Sequence, residues 1–128
     1  MANGRKKVLI VDDEEELLTA LGIRLELMNF SVVKASTARE TFEKIKSERP
    51  DLIILDIHLP GLNGIEICDV LQKDPATANI PVIFLTADSD ELTEMSAKSA
   101  GAFSFLLKPL DPAVFQTKVH EALSRSET

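Results

Sequence analysis

Five short apolar segments alternate with five amphipathic segments along this chain, and this alternation restricts its fold more than any other feature. Three of the apolar segments are continuous runs, which is typical of strands buried on both faces of a sheet. The segments begin at Val8, Ser31, Leu52, Pro81 and Ala102. Strands that alternate with helices predict a single doubly wound (βα)5 domain of the α/β class, with a five-stranded parallel sheet covered by helices on both faces.

The boundaries of the helices are marked by residues with known preferences for caps and turns. The first helix is expected over residues 15–28, where leucines recur at helical spacing. The strands are expected over residues 8–11, 31–33, 52–55, 81–85 and 102–107. The other four helices are expected to be bounded by Thr37, Asn63, Asp90, Gly101 and Asp111.

Composition excludes several classes of protein. The 128 residues carry 14 Lys and Arg against 21 Asp and Glu, a net charge of −7, so a basic nucleic-acid-binding face is not expected. Cys68 is the single cysteine and cannot form an internal disulfide. No apolar run approaches the roughly 18 residues of a membrane span. We therefore expect one soluble, cytoplasmic domain over residues 1–128, with its core at about 7–125 and frayed ends.

Polar side chains follow four of the expected strands at the point where each strand ends. Asp12 and Asp13 follow the first, Asp56 the third, Thr86 the fourth and Lys108 the fifth. The carboxyl ends of parallel strands meet at one edge of a sheet, which is where ligands bind in open α/β folds. An aspartate at a strand end often only caps the next helix, but the convergence of all five residues favours a functional site.

The residue types at this edge indicate phosphoryl chemistry. Three neighbouring carboxylates repel one another and need a cation, and oxygen ligands without a His or Cys cluster suit Mg²⁺ or Mn²⁺. A divalent cation and a lysine together can receive a phosphoryl group. Asp56 stands alone after an apolar strand and is the best candidate for a nucleophile that forms an acyl phosphate.

Five segments of the sequence resemble the receiver domain of two-component response regulators, and the resemblance covers about residues 7–123. The matching segments are VLIVDDE (8–14), PDLIILD (50–56), LPGLNG (59–64), PVIFLTA (81–87) and GAFSFLLKP (101–109). The resemblance implies a flavodoxin-like fold with the strand order 2-1-3-4-5.

The resemblance also implies a role for each site residue. Asp56 matches the phosphoacceptor, which receives its phosphoryl group from a histidine kinase or a histidine phosphotransfer protein. Asp13 and Asp56 match direct Mg²⁺ ligands, Asp12 a ligand acting mainly through water, and the backbone carbonyl of His58 a further ligand.

Four more positions match the switching machinery of that family. Thr86 matches the switch hydroxyl, and Ala87 a small residue that leaves room for the phosphoryl group and donates its backbone N–H. Lys108 matches the lysine that pairs with that group, and its bond to Pro109 matches a cis peptide. Phe105 matches the aromatic switch position, although the family more often has tyrosine there. His58 and Asp88 lie where the family varies and where the dephosphorylation rate is tuned.

The expected function is a signalling switch and not an enzyme acting on a small molecule. Phosphorylation should change the surface of helix 4, strand 5 and helix 5, which would then control a protein target without direct nucleic-acid contact. We expect a monomer that can dimerise when phosphorylated. One alternative is a receiver-like interaction module that works without phosphorylation. The other alternative is a Mg²⁺-dependent aspartyl phosphatase. It is less favoured because such an enzyme needs a second acid two residues after the nucleophile, and this chain has His58 there. The sequence does not distinguish a stand-alone receiver from a domain excised from a longer protein.

Overall fold

The computed structural model describes residues 4–87 and 91–126, except for the side chains of residues 91–94, 125 and 126. Strands and helices alternate throughout these residues, as the sequence predicts. The strands are β1 (Lys7–Val11), β2 (Ser31–Ala35), β3 (Leu52–Asp56), β4 (Val82–Thr86) and β5 (Ser104–Leu107). The helices are α1 (Glu15–Leu27), α2 (Ala38–Glu48), α3 (Gly64–Lys73), α4 (Glu91–Ser99) and α5 (Pro112–Ser126).

The strands form one parallel sheet in the order β2-β1-β3-β4-β5, which confirms the expected order. The register places Val11 opposite Leu55, and Thr86 opposite Leu107. The strands therefore end at nearly the same level, and the residues that follow them share one edge of the sheet.

Two apolar layers enclose the sheet because side chains alternate between its faces along each strand. Leu21 of α1 and Phe115 of α5 pack against one face. Ile45 of α2 and Ile67 of α3 pack against the other. Cys68 is completely buried in this second layer.

Two strand boundaries differ from the prediction by two residues, and those of β1, β3 and β4 differ by one. β2 continues to Ala35, because its backbone still pairs with the chain beyond β1, through a bond from Asp12 N to Ala35 O at 3.2 Å. β5 begins at Ser104 and not at Ala102, since Ala102 N donates to Ala97 O at 3.2 Å and so terminates α4. The predicted stop at Gly101 is confirmed by its φ of +93°. Asp90, the predicted start of the fourth helix, lies outside the described residues. The ends expected to be frayed are residues 1–5 and 126–128; of these, residues 1–3, 127 and 128 lie outside the described residues, and Ser126 belongs to α5.

Caps fix the starts of α2 and α3. Thr37 Oγ1 accepts from Glu40 N at 3.1 Å, as predicted, but the Glu40 carboxylate bonds to Ser36 N at 2.8 Å instead of closing the capping box. A complete capping box forms at α3, where Asn63 Oδ1 accepts from Glu66 N at 2.9 Å and Asn63 N donates to Glu66 Oε1 at 3.1 Å. This box anchors the loop that follows β3.

Candidate functional site

Backbone hydrogen bonds continue past the ends of the strands and align the residues that follow them. Ile57 N donates to Leu85 O at 3.0 Å, and Lys108 N donates to Thr86 O at 2.8 Å. Asp56 and Thr86 are the last residues of their strands, while Lys108 comes directly after β5. The structure thus places these side chains on neighbouring strands at the carboxyl edge of the sheet.

Three carboxylates converge at this edge. One oxygen from each of Asp12, Asp13 and Asp56 lies within 4.8 Å of the other two. Asp12 is completely buried and Asp56 is 4% exposed, whereas Asp13 is exposed to solvent. Desolvated carboxylates this close together are unfavourable without a compensating positive charge.

Lys108 supplies part of that charge. Its Nζ lies 2.9 Å from Asp12 Oδ2, 3.1 Å from Glu14 Oε1 and 3.6 Å from Asp56 Oδ2. Burial by itself would lower the pKa of Lys108, but the contacts with Asp12 and Glu14 outweigh this effect and raise it. The lysine therefore stays protonated at neutral pH and is held beside Asp56.

The groups around Asp56 shift its pKa in opposite directions. Burial raises the pKa of Asp56 above its usual range, and the charges of Asp12 and Asp13 act in the same direction. The backbone N–H of His58, which donates to Asp56 Oδ1 at 3.1 Å, and the charge of Lys108 act in the opposite direction. One oxygen of Asp56 is thus oriented by the backbone, and the other faces Lys108.

The backbone at the end of β3 packs closely against the first turn of α3. Gly64 N donates to Ile57 O at 2.8 Å, and a Cβ placed on Gly64 would lie only 2.4 Å from Asp56 O. Only a glycine allows the first turn of α3 to approach the end of β3 this closely. The position of the carboxylate is therefore coupled to the start of this helix.

The remaining predicted residues surround this cluster. Thr86 is almost completely buried, Ala87 is exposed, and Phe105 is half-buried on β5. The side chain of His58 is exposed to solvent, and the Lys108–Pro109 bond is cis, as expected. Asp88 lies outside the described residues.

Sequence reasoning missed two contributors to the site. The contact between Glu14 and Lys108, with 3.1 Å between Oε1 and Nζ, was not predicted. The position of Glu14 directly after the aspartate pair was the available signal. The close approach of Gly64 to the backbone of Asp56 was not predicted either, because no sequence pattern marks it.

The donor set fits a hard divalent cation. Asp12, Asp13 and Asp56 offer oxygen ligands only, which is the preference of Mg²⁺ and Mn²⁺. Asp12 Oδ2 is buried and forms no hydrogen bond of acceptable geometry with the residues that the structure describes, although Lys108 Nζ lies nearby. A cation at this point would compensate both the orphaned oxygen and the excess of negative charge.

A flavodoxin-like sheet with an acidic pocket and a lysine at its carboxyl edge defines a class of phosphoryl-binding signalling domains, and comparison with known proteins gives the family. The sequence profile of the response regulator receiver domain matches residues 8–120. The chain belongs to this family and is a receiver domain of the two-component type.

Relatives of known identity agree with this assignment. The chain is 38% identical over 122 residues to the alkaline phosphatase synthesis transcriptional regulatory protein PhoP of Bacillus subtilis, covering 95% of this chain and 50% of that protein. The chain spans about half the length of the curated relatives it matches.

Solved structures agree as well. A two-component response regulator from Clostridium difficile has a TM-score of 0.90 at 27% identity, covering 97% of this chain and 100% of that one. The chemotaxis protein CheY4 of Vibrio cholerae has a TM-score of 0.88 at 26% identity, covering 94% and 100%. Within residues 4–87 and 91–126, no helix is long and apolar enough to cross a membrane.

Proposed function

We propose that this chain accepts a phosphoryl group on Asp56 in a Mg²⁺-dependent reaction and that the phosphorylated form acts on a protein target. The donor would be a histidine kinase or a histidine phosphotransfer protein in the cytoplasm. The observation that carries the proposal is the cluster formed by Asp12, Asp13 and Asp56 together with Lys108 at one sheet edge. Each of these residues has a distinct part in the chemistry.

Asp56 has the position and environment of the nucleophile. A carboxylate oxygen attacks the phosphorus atom of the donor, so that a P–O bond forms while the P–N bond of phosphohistidine breaks. The electron pair of the broken bond returns to the imidazole nitrogen, and Asp56 becomes an acyl phosphate. The hydrogen bond from His58 N holds Oδ1, which leaves Oδ2 oriented toward Lys108.

Charge at the site would favour the transferred group. Lys108 Nζ lies 3.6 Å from Asp56 Oδ2, so an ammonium group is already beside the position that phosphoryl oxygens would occupy. A bound Mg²⁺, held by Asp12, Asp13 and Asp56, would supply further positive charge for the same oxygens. Thr86, at the end of the adjacent strand, would offer a hydroxyl to one of them.

The output surface is proposed to be α4, β5 and α5. Among the described side chains of α4, only Ala97 is buried, while Met95 and Lys98 are exposed. A segment such as residues 95–99, with one buried side chain, is readily moved when a neighbouring site changes its charge. The phosphoryl group would shift the population of two arrangements of this surface.

Intact mass spectrometry after incubation with acetyl phosphate and Mg²⁺ tests the phosphoacceptor chemistry. We expect a gain of about 80 Da, one phosphoryl group, that requires Mg²⁺ and is lost in Asp56→Asn. Asp69→Asn is the matched control, because Asp69 lies on α3 and pairs only with Lys73 among the described residues. Uptake that persists in Asp56→Asn would refute the assignment.

Chemical shifts of the backbone amides test the output surface. Phosphorylation of Asp56 should shift the signals of residues 91–126 more than those of α2, which lies at the other end of the sheet. Unchanged signals over residues 91–126 in a fully phosphorylated sample would show that this surface is not the output.

A further inference from the structure

Lys118 of α5 reaches around the edge of the sheet and touches side chains on both faces of β5. Its Nζ lies 2.8 Å from Ser104 Oγ and 5.9 Å from the centre of the Phe105 ring. Ser104 alternates with Leu106 on the face that α5 covers, whereas Phe105 packs on the opposite face. This crossing is possible because β5 is the edge strand.

The side chain of Phe105 is less buried than that of its neighbour in the sheet, Phe84. Phe84, its partner across the β4–β5 ladder, is completely buried, but Phe105 is only half-buried. One side of the ring therefore faces the surface, and there the ammonium group of Lys118 lies over it. The hydrogen bond to Ser104 fixes the position of that ammonium group, and the ammonium group in turn stabilises the position of the ring.

We propose that Lys118 is a positioning residue that stabilises the resting position of Phe105 and so opposes phosphorylation of Asp56. This inference rests on the proposed function and on the aromatic switch position that the family resemblance assigns to Phe105, at which the ring turns inward in the active arrangement. Any inward movement of the ring would break its contact with Lys118, because Ser104 keeps the ammonium group outside. The contact therefore favours the resting arrangement only.

The size of the effect follows from the strength of such contacts. A cation–π contact of the exposed kind corresponds to a factor of about two to five in an equilibrium constant. Removing it should raise the population of the active arrangement by that factor, and the rate of phosphorylation by acetyl phosphate should rise with it. A purely structural role for Lys118 would instead lower stability and leave this rate unchanged or reduced.

Lys118→Met is the informative variant, because it keeps an apolar stem of similar length and removes the charge. We expect its phosphorylation rate to be about two- to five-fold higher than that of the unmodified chain. Lys118→Arg should restore the resting rate, since a guanidinium group also binds an aromatic face. Lys46→Met, on the exposed surface of α2, is the control for loss of one lysine charge.

A second readout does not depend on phosphorylation. The chain has six phenylalanines, so protein labelled with 4-fluorophenylalanine should give six ¹⁹F signals, with that of Phe105 assigned from Phe105→Leu. We expect Lys118→Met to shift the Phe105 signal and Lys46→Met to leave it unchanged. An unshifted Phe105 signal in Lys118→Met would overturn the inference, because the contact would not exist.

The remaining outcomes separate this inference from the proposed function. A shifted Phe105 signal with an unchanged or lower phosphorylation rate would overturn the role of Lys118 while leaving Asp56 as the phosphoacceptor. Failure of the unmodified chain to take up a phosphoryl group would refute the proposed function, and the inference with it. A shifted signal together with a faster rate in Lys118→Met alone would support both.

Discussion

Replacing Gly64 by alanine should weaken both the fold and the phosphorylation of Asp56, because this glycine is the contact between α3 and the end of β3. A Cβ at position 64 would lie 2.4 Å from Asp56 O and 2.9 Å from Ile57 Cα. Both are backbone atoms, so no side-chain rotation can relieve the overlap. Gly64 is not among the residues with positive φ, and the effect would come from packing and not from backbone conformation.

The expected magnitude follows from this geometry. An ordinary van der Waals contact begins at 3.4 Å, so α3 and the β3 end must separate by about 1 Å. Overpacking of this kind costs about 1–3 kcal/mol. Weakening of the Gly64 N to Ile57 O hydrogen bond adds about 1 kcal/mol, and the better helix propensity of alanine returns less than about 1 kcal/mol. The net loss should be about 1–4 kcal/mol in the free energy of unfolding.

Displacement of Asp56 should also slow its phosphorylation. A misplacement of about 1 Å at a reacting group can cost about 100-fold in rate, so a decrease of about 10- to 100-fold is expected with acetyl phosphate. Unfolding in urea should be followed by far-UV circular dichroism, because the chain has no Trp or Tyr to report by fluorescence.

Gly22→Ala is the matched control. Gly22 lies inside α1, and its added Cβ would meet the flexible end of Lys34 at 3.0 Å. The free energy of unfolding should rise by about 1 kcal/mol or less, because alanine has a higher helix propensity than glycine, and the phosphorylation rate should stay the same. If Gly64→Ala unfolds at the same urea concentration as the unmodified chain, the close contact is wrong. If it is destabilised but phosphorylated at the normal rate, the coupling of α3 to Asp56 is wrong.

Three further predictions concern single groups. Burial raises the pKa of Cys68 to about 11, so iodoacetamide at pH 8 should modify it at least about 100-fold more slowly in the native chain than in urea, and equal rates would contradict its burial. Because the pKa of Asp56 is raised in the folded chain, its stability contribution is present at low pH and lost as pH rises through that pKa. In EDTA, the free energy of unfolding of Asp56→Asn should therefore increase relative to that of the unmodified chain as the pH rises from about 4 to 7. Urea titrations in which this difference stays constant or shrinks would refute the prediction. Thr37→Ala removes the cap of α2 and should cost about 1 kcal/mol in urea unfolding, whereas no change would show that the cap is not needed.

The fold was predictable because its strongest signals are local. Runs such as Leu52 to Leu55 favour strands that are buried on both faces of a sheet, and a parallel sheet brings the ends of its strands to one edge. That topology alone unites Asp12 with Asp56 and Lys108. Their side chains could thus be placed together before any distance was known.

Contacts that depend on how the layers pack were not predictable. Glu14 and Lys108 are 94 positions apart; the place of Glu14 after Asp12 and Asp13 puts it near the site but does not identify Lys108 as its partner. The role of Gly64 is the absence of a side chain at a close approach, which leaves no pattern along the chain. Lys118 sits at an ordinary α5 position, and only the edge location of β5 brings it to Phe105.

The most direct test of the account is to locate the phosphoryl group chemically. After reaction with acetyl phosphate and Mg²⁺, borohydride reduction converts an acyl phosphate of aspartate to homoserine, which peptide mass mapping can assign to a position. Conversion is expected at Asp56 alone, with none in EDTA. Conversion at Asp12 or Asp13, or a phosphoryl group found on His58 with Asp56 unmodified, would contradict it.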